Sequence, residues 1–70
     1  MKINKQHLAF QIFGIRAKLG LSMEQFGELL GANKSSVSGW ERGTVVPSSQ
    51  RLKKIAELGK ISLAELLTPY

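Results

Sequence analysis

The sequence predicts an all-α fold, a bundle of five short helices. Three observations carry that expectation. Apolar residues recur at helical spacing along the chain, and no stretch alternates with the period of two that a strand requires. Each segment opens on a residue suited to cap a helix and closes near a glycine or, at the end, a proline. Of the 70 residues 43% are hydrophobic, which is the composition of a globular chain rather than a disordered one. The length suits one small domain over residues 1–70, with no room for a second core.

The first helix is expected over roughly Lys5 to Leu19, capped by Asn4, with Leu8, Ile12, Ile15 and Leu19 as its apolar stripe and Gly20 as its stop. The second starts after Ser22, with Gln25 completing a capping box; Phe26, Leu29 and Leu30 form its buried side and Gly31 ends it. The third is capped by Asn33 and runs to about Arg42, with Gly43 after it. Val37 and Trp40, three residues apart, face the core together. Pro47-Ser48 opens the fourth, capped by Ser48 or Ser49, with Leu52, Ile55 and Ala56 inward and Gly59 as its stop. Ser62 caps the last, with Glu65 completing a second capping box, Leu63, Leu66 and Leu67 as its apolar residues and Pro69 closing it.

Composition narrows the function. There are no cysteines, which excludes disulfides and thiolate metal sites and fits a reducing compartment. One histidine, His7, cannot build a metal site and is expected at the surface, so neither metal nor cofactor is expected. No apolar run approaches the ~18 residues of a membrane span. Lys2 and Lys5 precede apolar residues as in a signal peptide, but Gln11 and Arg16 interrupt that segment and no cleavage site follows, so it reads as a structural helix. Glu57 and Glu65 fall on separate helices, and Ser, His and Glu form no nucleophile arrangement, so no enzymatic activity is expected. Ten basic against five acidic residues give +5, a balance that favours a polyanionic partner.

The stretch Leu21–Ser48 is the most informative. It reads as two short helices joined by the tight turn LLGANK, the second opening with small polar and basic side chains. That arrangement suits a helix end pushed into the DNA major groove.

These residues carry a family resemblance. Ile12, Ile15 and Arg16 match IxxIR, followed by GLS (Gly20 to Ser22), LLGA (Leu29 to Ala32), VSGWERG (Val37 to Gly43), Pro47-Ser48, LKKIAELG and SLAELL. Over about Ile12 to Leu67 the chain resembles the Cro/C1-type (XRE) helix-turn-helix domains of phage repressors and related bacterial regulators. The resemblance implies a lambda-repressor-like five-helix DNA-binding domain, with the helix-turn-helix core at about residues 22–42. It implies double-stranded DNA as partner, usually bound by a homodimer on a two-fold operator, and a cytoplasmic, nucleoid-associated setting in a bacterium or phage.

Carried onto this chain, the base-facing positions are Lys34, Ser35, Ser38 and Gly39. The residues agree for three of them, because Val37 and Trp40 point inward and leave Lys34, Ser35 and Ser38 on the opposite side. Lysine donates to guanine, while serine discriminates weakly. Phosphate contacts are expected from Ser22 and Met23 at the start of the second helix, from Ser36, from Arg42 and Thr44 after the third helix, and from Ser49 and Arg51 on the fourth. The chain departs from the family pattern at Met23, where many relatives carry glutamine, and at Gly39, where a longer side chain often reads a base.

Arg16 and Glu41 match positions that pair between the first and third helices, a structural role. Phe10 and Phe13 lie off the main stripe and either pack on the N-terminal residues or mark a contact with another chain. The expected function is a sequence-specific transcriptional regulator, most simply a repressor acting by operator occlusion. The rival is an antitoxin-like or adaptor module that binds a protein through Phe10, Phe13 and the Leu66–Tyr70 end. Pairing would use the Leu63–Tyr70 end, with Val45 and Val46 beside the DNA.

Overall fold

Five helices and no strand make up residues 3–69, the residues that the computed structural model describes. They are α1 (Lys5–Leu19), α2 (Met23–Leu30), α3 (Lys34–Arg42), α4 (Ser49–Gly59) and α5 (Leu63–Leu67). Capping chemistry sets their starts. Asn4, Ser22, Asn33, Ser48 and Ser62 each accept a hydrogen bond from a backbone N–H in the first turn. Ser48, not Ser49, is therefore the cap of α4. Both expected capping boxes are complete, Ser22 with Gln25 and Ser62 with Glu65. Gly20, Gly31 and Gly43 end their helices in the left-handed conformation, as expected.

The fourth stop differs. α4 runs through Gly59 and ends at Lys60, whose φ of 56° makes it the one non-glycine with positive φ among the described residues. Gly59 has another task. A Cβ there would lie 2.5 Å from Ile15 Cδ1 and 2.8 Å from Ile15 Cγ1, so its bare backbone lets α4 approach α1.

The core joins Leu8, Ile12 and Ile15 of α1 to Phe26 and Leu30 of α2, Val37 and Trp40 of α3, Leu52, Ile55 and Ala56 of α4 and Leu66 and Leu67 of α5. Two expected members are outside it. Leu19 is exposed, because it ends α1 where the chain turns away, beside Leu58 and Ile61. Leu29 is exposed because Phe26 and Leu30, one turn apart, define the inward direction of α2 and Leu29 stands to its side. His7 is half-buried rather than at the surface. Its Nε2 lies 2.8 Å from the Glu65 carbonyl, which can only accept, so Nε2 carries the proton. With the Asn4 N–H donating to Leu67 O at 3.0 Å, this contact ties α5 onto the start of α1.

No helix is long and apolar enough to cross a membrane among the described residues.

Candidate functional site

The surface in question is built on α2, α3 and the turn between them. The turn closes tightly: the Ala32 N–H donates to Gly27 O at 2.8 Å. A Cβ on Gly27 would stand 2.8 Å from Ala32 O, a backbone atom that cannot move aside, so only glycine fits without shifting the turn. α4 holds the turn from outside. Arg51 Nε donates to Leu30 O at 3.0 Å and its Nη2 to Gly31 O at 2.8 Å, neutralising carbonyls at the C-terminus of α2.

α3 is oriented by an ion pair. Arg16 Nε and Nη2 donate to the two carboxylate oxygens of Glu41 at 2.6 and 3.0 Å, and Nη1 donates to Leu21 O at 3.0 Å. One guanidinium thus joins α1, the lead-in to α2 and α3. The side chains are only 15% and 7% exposed. The hydrogen bond to Glu41 raises the Arg16 pKa above its ordinary value, against the opposing effect of burial, and Arg16 stays a cation throughout the working pH range. Its Cζ lies 5.5 Å from the Phe13 ring centroid, a cation–π distance.

With Val37 and Trp40 buried, α3 leaves Lys34 and Ser35 exposed and Ser38 partly so. The Asn33 cap accepts from the Ser36 N–H at 2.9 Å, and Ser36 is half-buried beside it. Lys34 and Ser35 border a shallow groove shared with Glu24, Gln25 and Glu28 of α2. These two carboxylates limit how near a phosphate can come on that side.

The other expected contacts are placed less uniformly. Ser22, Arg42, Thr44 and Ser49 are exposed. Ser22 Oγ accepts from Gln25 N at 3.1 Å, which leaves its own hydroxyl proton free to donate. Arg42 Nε bends back to Ser38 O at 3.3 Å. Three positions have other surroundings. Gly39 is buried, with Val45 standing where its side chain would be. Met23 is half-buried and packs against the core, at the N-terminus of α2. Arg51 directs its guanidinium into the turn, which gives it a positioning role that its place at the start of α4 did not reveal.

Phe10 is 75% exposed and Phe13 49% exposed, beside Gln6, Ala9, Glu41 and Arg42. The C-terminal apolar residues behave oppositely. Leu66 and Leu67 are core residues and cannot form an external contact; Tyr70 lies outside the described residues. No group of three His, Cys, Asp or Glu side chains is placed to hold a metal ion among the described residues.

A helix-turn-helix family model matches residues 14–66. The chain belongs to the helix-turn-helix family, of the Cro/C1 type. This helix-turn-helix chain is 36% identical over 62 residues to the mycobacterial cidal antitoxin MbcA of Mycobacterium tuberculosis and Mycobacterium bovis, a match covering 86% of this chain and 55% of the antitoxin. The chain therefore spans about half the length of the curated relatives it matches. Among solved structures, the P22 c2 repressor in complex with a synthetic operator has a TM-score of 0.81 at 24% identity, over 90% of this chain and 96% of that one. The restriction-modification controller protein C.AhdI from Aeromonas hydrophila has a TM-score of 0.73 at 31% identity, over 89% and 90%. Hydroxypropylphosphonic acid epoxidase from S. wedmorenis has a TM-score of 0.79 at 23% identity, over 99% of this chain but 37% of the enzyme. At such identity the repressor and the epoxidase show the fold alone.

Proposed function

We propose that this helix-turn-helix protein is a sequence-specific double-stranded DNA-binding regulator, acting as a repressor by occluding its operator. One observation carries the reading: α3 presents Lys34, Ser35 and Ser38 outward while Val37, Trp40 and the Arg16–Glu41 pair fix it from behind. In this role Lys34 donates to a guanine edge and the serines contact bases or phosphates. Ser22, Ser36, Arg42, Thr44 and Ser49 contact phosphates, and Met23 does so through its backbone N–H. The net charge of +5 draws the protein to the polyanion. The protein works in the cytoplasm on DNA as a pair of copies, has no enzymatic activity of its own and needs no cofactor.

Selection of bound sequences from a random duplex pool tests the proposal. Enrichment of a two-fold motif is expected, with affinity falling by orders of magnitude between low and moderate salt as counterions are released. Failure to enrich any sequence refutes it.

A second reading is an antitoxin-like module whose partner is a protein. The 36% identity to MbcA and the exposed Phe10–Phe13 pair favour it. Apolar association through those rings is insensitive to salt, so the same titration separates the two readings.

A further inference from the structure

We propose that Val45 is a specificity-determining residue: it reads a thymine methyl group from the loop after α3, in the slot that Gly39 leaves open. The inference rests on the DNA-binding reading above.

Gly39 follows Ser35 by four residues and so stands on the same row of α3, one turn further along. A side chain at 39 would continue that row. A Cβ built there lies 3.1 Å from Val45 Cγ2, 3.4 Å from Val45 Cβ and 3.6 Å from Thr44 Oγ1. The isopropyl group of Val45 therefore occupies the space that a side chain on α3 would enter.

The loop is held there. The Gly39 carbonyl accepts from Thr44 N at 3.0 Å, from Val45 N at 3.3 Å and from Thr44 Oγ1 at 3.2 Å. These bonds from Thr44 and Val45, beside the one from the Gly43 N–H, fix the backbone at Val45, and a β-branched side chain has little χ1 freedom beyond that. Val45 is nonetheless 52% exposed. The apolar group thus stands against Gly39, one turn along the row from Ser35, with about half of it open to solvent.

A valine neither donates nor accepts. The apolar feature that base pairs present in the major groove is the thymine C5-methyl. Covering that methyl and the exposed half of Val45 together removes both from water. The specificity is thus for an A·T pair next to the base that Ser35 faces.

The test uses the duplex selected from the random pool. Each thymine is replaced singly by deoxyuridine, which deletes the methyl and nothing else. One thymine per half-site is expected where the replacement weakens the wild-type protein about fourfold, the worth of one buried methyl group. Val45→Thr keeps the shape and Val45→Ala removes the contact. Each should bind the unmodified duplex at the weakened level and no longer distinguish thymine from uracil at that position. Gly39→Ala, whose Cβ displaces Val45, should change the dependence at the same base pair only. Thermal melts that match the wild type confirm that the Val45 variants are folded.

Val45 variants that discriminate the methyl as well as the wild type overturn the proposal, as does a selected duplex on which no thymine methyl matters. Equal weakening on every sequence, with a changed steepness of the titration, would place Val45 between two copies and overturn it too. If no duplex is selected at all, the DNA-binding reading itself fails and takes this one with it.

Discussion

Lys34 and Arg42 stand on the same short helix but differ in surroundings. Lys34 opens α3 as an exposed side chain, whereas Arg42, also exposed, closes it and folds back on Ser38 O. Lys34→Ala is expected to weaken the selected sequence by ~1–3 kcal/mol and unrelated sequences much less. Arg42→Ala should weaken all sequences about equally and flatten the salt dependence by about one unit of slope. Titration of both variants on selected and scrambled duplexes checks the pair; equal losses on all sequences for Lys34→Ala would remove it from the base-reading set. The outward set Lys34, Ser35 and Ser38 was legible because Val37 and Trp40 fix the direction of α3 by spacing alone. Gly39 and Arg51 were not, since each depends on a distant segment: the loop at Thr44–Val45 for one, the C-terminus of α2 for the other. Gly59 makes the same point for packing. Its place near a helix end suggested a stop, while its true partner, Ile15, lies 44 positions earlier in the chain. Gly59→Ala favours the helix by ~1 kcal/mol on propensity, yet it forces Ile15 to move and is expected to cost ~1–3 kcal/mol. Combining it with Ile15→Ala should recover part of the loss, as measured by denaturant titration; simple additivity would refute the steric cause.

Helix boundaries were readable because capping is local: the cap and the amide it satisfies are three residues apart in every one of the five helices. How the helices sit against one another is not local, and one ion pair does much of that work. Arg16→Ala leaves Glu41, 7% exposed, with an unpaired carboxylate. The expected cost lies above the ~1 kcal/mol ceiling of an exposed pair and up to the ~3–5 kcal/mol of a fully buried one. The double change Arg16→Met with Glu41→Leu removes the stranded charge and should be close to neutral for stability. If the pair serves to aim α3, that double variant still loses DNA affinity while its melting temperature holds. Equal affinity for the double variant and the wild type would confine the pair to stability. The family resemblance pointed to this pairing, but neither the third bond, to Leu21 O, nor the ring of Phe13 beside the guanidinium was foreseeable from spacing.

For the whole molecule, the size of the core decides what can be removed. Trp40 is almost fully buried at the junction of the helices, and Trp40→Ala is expected to cost ~3–5 kcal/mol, enough to unfold most of a domain of this size at 25 °C. Loss of the cooperative thermal transition in circular dichroism is the expected sign. The same small core claims Leu66 and Leu67, so among the described residues little apolar surface is left at the C-terminal end for pairing. The free protein is therefore expected to sediment as a monomer in dilute solution and to pair only on DNA, at half-sites about 34–36 Å apart. A dimer at micromolar concentration without DNA, or one copy per minimal high-affinity site, contradicts that picture. The outward side chains of α3 have a last consequence. Lys34 and Ser35 are exposed and take no part in the core or in the Arg16–Glu41 pair. Substitutions there are expected to leave folding almost unchanged, so under the proposed DNA-reading role a lineage could drift from one target to another without passing through unfolded intermediates, and two descendants with the same scaffold would come to ignore each other's sites.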